Sequence, residues 1–496
     1  MELQSKYLNS ESVSNSEGSS GLVEKTPGSR FYRVVWRWHF YAGLFVIPFV
    51  VMLAVTGAIY LFKPQLNHLI YGDRLFVTPQ SEMLPFTQQL AAAQAAFPGA
   101  KPQVFRPAPA PDRSSETDLL TENGRLFTFF VNPYDGRVLG RRDGDYNLQA
   151  VAKALHGELM MGRLGDALVE LAACWGLVLA VTGVYLWWPR NGASVWGTLL
   201  PRLVSMNKRI FWRDLHACAG FYGSTVIVFM ILTGLPWADF WGKNFDKITH
   251  RVPHPMFAAF PTSTVPTGVL NERGERSIPW AAEQMPMPKS DPSAGAHAQH
   301  GGSSSEVPSA PVITQEGIPP GTSVNLDSVI MFAWSKGFPN GLAVNLPQNE
   351  EGVYTVSITP NDPRGDVVMH IDQYSGDILG LMGWAQYGFV SQAVSLGIAL
   401  HEGRFFGLGN QLLMLFAALS VLTLAVTATV MWWKRRPIGR LGAPAMPQNF
   451  PLWKGAVVLI GVMGVLFPLM GISLVAVLLL DYLVIARLPT LKRALS

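Results

Sequence analysis

The sequence predicts a mainly α membrane protein: a four-helix transmembrane core plus two C-terminal short passes, with two small α+β domains set in an internal duplication. Three observations predict it. Four apolar runs are each about 20 residues long, enough at ~1.5 Å per residue to cross a ~30 Å hydrocarbon core. The short loops between alternate runs carry basic residues and no acid. The histidines, glycines and tryptophans of the first half recur at the same spacings in the second.

The runs are Phe40–Phe62, Ala167–Trp188, Leu215–Trp237 and Leu412–Trp433. Of the 496 residues, 49% are hydrophobic and only 15% charged, which excludes a wholly soluble chain. The formal charge of +4 is small and gives no sign of a nucleic-acid partner. Residues 1–30 are polar, rich in Ser and Glu, and are expected to form a disordered cytoplasmic tail. No cleavable leader is expected before the first run, which should stay in the membrane as an anchor. The expected order is a first pass (31–63), a first extramembrane domain (64–150) and a second pass with a preceding segment (151–189). A loop (190–210), a third pass (211–237), a second domain (238–395) and a fourth pass with its own preceding segment (396–434) follow. Then come a loop (435–451), two short passes (452–487) divided near Pro468 and Gly471, and a tail (488–496).

Charge sets the orientation. The loop after the second run carries Arg190, Arg202, Lys208 and Arg209, and the loop after the fourth carries Lys434, Arg435, Arg436 and Arg440. Short basic loops stay on the cytoplasmic side, so both termini are expected there and both domains on the other side, the periplasm of a bacterium. Trp187, Trp188, Trp432 and Trp433 close two runs as interfacial anchors. The lipid of an inner membrane is thus one expected partner.

The chain is written twice. The first run contains His39, Gly43 and Thr56-Gly57, and the third contains His216, Gly220 and Thr233-Gly234 at equal spacings. The second run follows His156 and Gly162, passes Thr182 and ends in Trp187-Trp188; the fourth follows His401 and Gly407, passes Thr427 and ends in Trp432-Trp433, again at equal spacings. The domains repeat too. A helix-like stretch ends at Phe97-Pro98 in one and Phe338-Pro339 in the other, and each closes on a turn, Tyr134-Asp135-Gly136 or Tyr374-Ser375-Gly376. The second domain carries an insert, 255–320, rich in Pro, Ser, Gly and Ala, which is expected to be a flexible loop. It holds Met285, Met287, His297 and His300, without regular metal-ligand spacing.

Four of the ten histidines occupy equivalent places in this frame. A lone interfacial histidine is usually a satisfied polar residue, but polar groups near hydrocarbon are costly, and four in matched pairs point to ligands. The orientation pairs His39 with His216 at one face and His156 with His401 at the other. Two imidazoles fill both axial positions of a haem iron, a set suited to electron transfer. With no CxxCH motif, and Cys174 and Cys218 in apolar stretches, two non-covalent b-type haems are expected. Gly43 and Gly220, four residues beyond their histidines, would let a flat macrocycle lie against the backbone; close helix packing explains them nearly as well. Arg37 and Arg213 at the inner face, and Arg163 and Arg404 at the outer, could hold propionates. Lipid headgroups account equally for the inner ones. Zinc is the weaker reading, since no cysteine or close carboxylate completes a tetrahedral set.

These motifs resemble the PepSY-associated transmembrane helix family, the iron-regulated membrane proteins. The resemblance rests on His39-x3-Gly43, on Leu155-His156 with Gly162 and Gly165, and on Thr182-Gly183 with Trp187-Trp188-Pro189-Arg190. It rests also on Leu400-His401 with Gly407, and on the two domains, which are similar to PepSY modules. It covers about residues 30–437, and Thr427-Ala428 departs from the Thr-Gly of the second run. It implies a di-haem reductase of ferric iron held in a periplasmic siderophore or other chelate, with ligands on His39, His156, His216 and His401. Without a dinucleotide fingerprint in the chain, the donor is expected to be a cytoplasmic reductase or a membrane quinol. Two alternatives stay open: a permease for siderophore or metal, and a non-redox PepSY binding module.

Overall fold

The computed structural model describes residues 27–190, 194–203, 207–249, 262–283, 285–292, 317–319, 321–444, 454–484, 487, 488, 490, 494 and 495. Residues 1–26 of the expected disordered tail and the His297 and His300 tract lie outside the described residues, whereas residues 27–30 of that tail already belong to the first helix.

The first half runs α1 (Pro27–Leu61), α2 (Lys63–Leu75), α3 (Phe86–Ala96), β1 (Lys101–Arg106), β2 (Ser115–Leu120), β3 (Leu126–Val131), β4 (Val138–Asp143), α4 (Leu148–Glu158) and α5 (Arg163–Trp187). The second half opens with α6 (Lys208–Gly234), α7 (Asp239–Thr249), β5 (Thr262–Pro266), α8 (Trp280–Glu283) and β6 (Pro286–Pro288). It continues with α9 (Leu326–Ser335), β7 (Ala343–Asn345), β8 (Val353–Ile358), β9 (Val367–Asp372), β10 (Ile378–Gly383), α10 (Phe389–His401) and α11 (Leu408–Arg435). The chain closes on α12 (Lys454–Leu466) and α13 (Pro468–Leu483).

Among the described residues four helices, α1, α5, α6 and α11, are long and apolar enough to cross a membrane. They pack in a ring, α1 on α5, α5 on α6, α6 on α11 and α11 on α1. The strands lie at one end of the ring, the sheet end, and the opposite end is the loop end. α12 and α13 are shorter, and they fold into a hairpin at Phe467-Pro468, where the Gly471 backbone lies against Gly464 so closely that a Cβ would sit 2.9 Å from the Gly464 carbonyl. Trp175 Nε1 donates to Ser473 Oγ at 3.1 Å and Trp241 Nε1 to the Leu466 carbonyl at 3.1 Å, which pins the hairpin to α5 of the ring and to α7.

Each long helix of the second and fourth runs is preceded by a short one. Asn147 caps α4 by accepting from Gln149 N and Ala150 N, and Leu159 in the left-handed region ends it. Gly162 and Gly407, at φ 59° and 57°, then start α5 and α11, a conformation glycine adopts without steric cost. Gly165 meets the Glu158 carbonyl so closely that no side chain fits. α4 lies against α1 and α10 against α6.

The two expected domains share a single eight-stranded antiparallel sheet, in the order β10-β9-β8-β7-β1-β2-β3-β4. β1 and β7 are the corresponding strands of the two halves, and they pair Val104 with Asn345 and Phe105 with Val344. Like edge thus meets like edge, the self-complementary junction of a two-fold pair. One core spans the seam, with Phe105 of β1 packed among Ile330, Leu342 and Met369. Asp327 of α9 accepts from Phe86 N at 2.5 Å at the start of α3 in the other half.

The insert departs from expectation. Residues 262–283 and 285–291 include β5, α8 and β6 and form a strap on the second half of the sheet. Ile278, Ala282 and Met285 are buried against Val368 and Met382, which supplies the apolar burial that the Pro- and Ser-rich composition conceals. Ser277 Oγ lies 3.4 Å from Asn345 Oδ1, and Glu275 reaches back to Lys63 at 3.2 Å and Arg142 at 3.1 Å.

Candidate functional site

The ring encloses a cavity of about 2080 Å³ that runs from Trp36 and Arg435 at the loop end to Glu272 and Arg276 of the strap. Ligand pockets commonly measure roughly 300–1,000 Å³, so this one has room for more than one large organic group. His39, His156, His216 and His401 all line it. His39 stands on α1 and His216 on α6, near the loop end. His156 ends α4 and His401 ends α10, so the sheet-end pair is carried by short helices laid against the ring. His39 and His216 are electrostatic neighbours, and so are His156 and His401.

All four rings are held in the same way. Nδ1 of His39 meets Thr182 Oγ1 at 2.8 Å, and Nδ1 of His216 meets Thr427 Oγ1 at 2.8 Å. Nδ1 of His156 meets Thr56 Oγ1 at 3.0 Å, and Nδ1 of His401 meets Thr233 Oγ1 at 2.9 Å. Each threonine also sits on the carbonyl four residues before it: Thr182 on Val178 at 2.6 Å, Thr427 on Thr423 at 2.6 Å, Thr56 on Met52 at 2.8 Å and Thr233 on Phe229 at 2.7 Å. A hydroxyl has one proton. Given to the carbonyl, it leaves the oxygen to accept, so Nδ1 carries the imidazole proton and Nε2 keeps its lone pair. Among the described residues no hydrogen bond occupies any of the four Nε2 atoms. Burial holds His156 neutral, and burial and then His156 push His401 down to about 3. Neutral imidazole with a free Nε2 and a fixed Nδ1–H is the metal-ligating form. His370 makes a similar bond to Thr355, at 2.9 Å, but inside the sheet and away from the cavity.

Glycines make the seats. A Cβ on Gly57 would stand 3.2 Å from His156 Cε1, on Gly183 3.3 Å from His39 Cε1, and on Gly234 3.5 Å from His401 Cε1. The fourth seat has Ala428, also on the cavity wall. Gly43 and Gly220 line the cavity, and a Cβ on either would meet only one leucine methyl, at 3.9 and 3.5 Å. The backbone there is open to a flat ligand. Donor set, tautomer, volume and bare backbone therefore fit haem.

The expected arginines divide. Arg213 lines the loop end while paired to Asp214 at 2.9 Å, with Arg209, Lys434 and Arg435 around it. Arg404 lines the sheet end, donating to Glu402 and to the carbonyls of Pro360 and Asn361. Arg37 turns aside to the Pro444 carbonyl at 2.6 Å and the Tyr41 ring, and it does not line the cavity. Arg163, the first residue of α5, points outward to Asp239 at 3.3 Å, with 89% of its side chain accessible. The Gly162 turn directs it away. The threonines went unassigned in the sequence, although each recurs at a fixed offset from a histidine, and that recurrence was the available signal.

Four apolar helices ringed around a histidine-lined cavity, with a sheet at one end, define a multi-pass membrane protein. Residues 36–435 match the family model described as PepSY-associated TM region, and the chain belongs to that family. Comparison with curated proteins finds no match.

Proposed function

We propose that this protein is a di-haem b-type transmembrane electron-transfer protein that reduces ferric iron in a siderophore or similar chelate. The observation that carries the reading is the fourfold histidine–threonine bond, which leaves four Nε2 lone pairs on residues that line the cavity from four different helices. His39 and His216 would hold one haem and His156 and His401 the other, with Gly43 and Gly220 giving a macrocycle access to the backbone. Bound there, haem iron supplies one-electron redox chemistry. The threonines keep each imidazole oriented and in one tautomer through a change of iron charge, and the apolar helix walls keep water from the ligands. Ferrous iron binds hard oxygen ligands less tightly than ferric iron, so reduction on the sheet side would release it from a chelate. The basic loops support an inner-membrane setting with both termini cytoplasmic, and a cytoplasmic reductase or membrane quinol as donor. A permease could use the same cavity, but threonine-locked imidazoles along its wall have no role in passage.

The test is an absorption spectrum and haem quantitation on protein purified with haem supplied. Two haems per chain are expected, and His156→Ala and His401→Ala should each remove the same one. A colourless preparation, or full haem retention in both variants, overturns the reading.

A further inference from the structure

Lys153 stands out at the sheet end. It lies one turn before His156 on α4, lines the cavity and remains accessible there. Among the described residues it has no hydrogen-bond or ion-pair partner. The cations around it are already matched: Lys63 to Glu275 at 3.2 Å, and Arg276 to Glu283 at 3.1 Å, with its guanidinium 5.1 Å from the Trp237 ring. Two carboxylates also act on Lys153, Glu283 and Glu402, but each is already paired to an arginine, Arg276 at 3.1 Å and Arg404 at 2.8 Å, so Lys153 is a positive charge without an ion pair of its own. Shielding from bulk water within the cavity, and then Arg276, push its amine below the usual lysine range, so the charged form is poorly supported by the protein alone.

The duplication supplies the comparison. Leu155-His156 and Leu400-His401 correspond, so the residue matching Lys153 is Ile398. Ile398 is buried and lines the cavity from the equivalent place on α10. The fold is therefore satisfied by an aliphatic side chain at this position, and packing does not call for the amine. An ionisable group next to a membrane cavity, unpaired and not required by packing, marks a ligand contact.

We propose that Lys153 binds a carboxylate in the sheet-end half of the cavity. The chemistry has two sources, a propionate of a porphyrin held by His156 and His401 or a carboxylate of the incoming chelate, and the porphyrin source rests on the function proposed above.

The experiment compares the wild type with Lys153→Ile, which copies the second half, and with Lys153→Arg. Redox titration without chelate is measured first, then binding of ferric citrate. If the carboxylate is a propionate, Lys153→Ile shifts one of the two redox steps to lower potential, because losing a nearby cation favours ferric iron, while citrate affinity holds. If it belongs to the chelate, ferric citrate binds roughly 10- to 100-fold more weakly to Lys153→Ile, whether or not a potential also moves. Lys153→Arg should stay near wild type in either case. Normal potentials together with normal citrate affinity in Lys153→Ile overturn the proposal. Protein that takes up no haem refutes the di-haem reading separately, since citrate binding is still measured on it.

Discussion

His39 on α1 and Thr182 on α5 are joined at 2.8 Å, and the threonine is joined in turn to the Val178 carbonyl at 2.6 Å. The helix backbone thus sets the protonation pattern of a ring on its neighbour. Thr182→Val keeps the shape but removes the acceptor, leaving Nδ1–H unsatisfied and the ring free to turn. Loss of such a supporting contact lowers metal affinity about 10- to 100-fold. Haem transfer from the variant to an apoprotein scavenger should be faster by that order, and Thr182→Ser should restore it.

The glycine seats predict a selective effect. A Cβ at Gly57 would stand 3.2 Å from His156 Cε1, and the branched chain of Gly57→Val would displace the ring. Haem content should fall from two per chain toward one, with His39 and His216 unaffected. Ala428→Gly, which makes the fourth seat like the others, should leave haem content unchanged.

The strap should be tied by Glu275. Burial would raise its carboxyl, but Lys63, then Arg142 and Arg106, hold it well below the usual carboxylate range. A depressed carboxyl contributes stability above its unfolded value of ~4.3 and loses it as pH falls toward the folded one. Amide protection in 265–283, taken relative to the intrinsic exchange rate at each pH, should therefore fall below about pH 4. Glu275→Gln should produce the same loosening at neutral pH. Breaking a buried pair costs ~3–5 kcal/mol, and partial exposure of Lys63 and Glu275 reduces this to about 1–3 kcal/mol.

Asp327 joins the halves of the sheet by capping α3 from α9. Asp327→Ala should cost about 0.5–2 kcal/mol, the usual range for a lost cap. The loss should appear as a lower melting temperature, with the haem spectrum unchanged.

The sequence by itself determined the four membrane helices, the duplication and the four histidines, because hydropathy and fixed spacing are local properties of a chain. It also carried Thr56, Thr182, Thr233 and Thr427 at repeating offsets, but without showing that each would meet a histidine on another helix. His156 and Thr56 lie 100 residues apart, and His216 and Thr427 lie 211 apart. Only the packing of α4 on α1, and of α11 on α6, brings these partners together. The tertiary structure likewise decided that β1 pairs with β7, so that the two domains close on one sheet, since the pairing of strand edges is a contact between halves. It ordered the strap, whose composition reads as a linker until Ile278 and Met285 find the sheet and Glu275 finds Lys63 and Arg142. It also turned Arg163 and Arg37 away from the cavity and left Lys153 facing it. Spacing shows which residues share a role, whereas the direction of a side chain depends on the neighbouring helix.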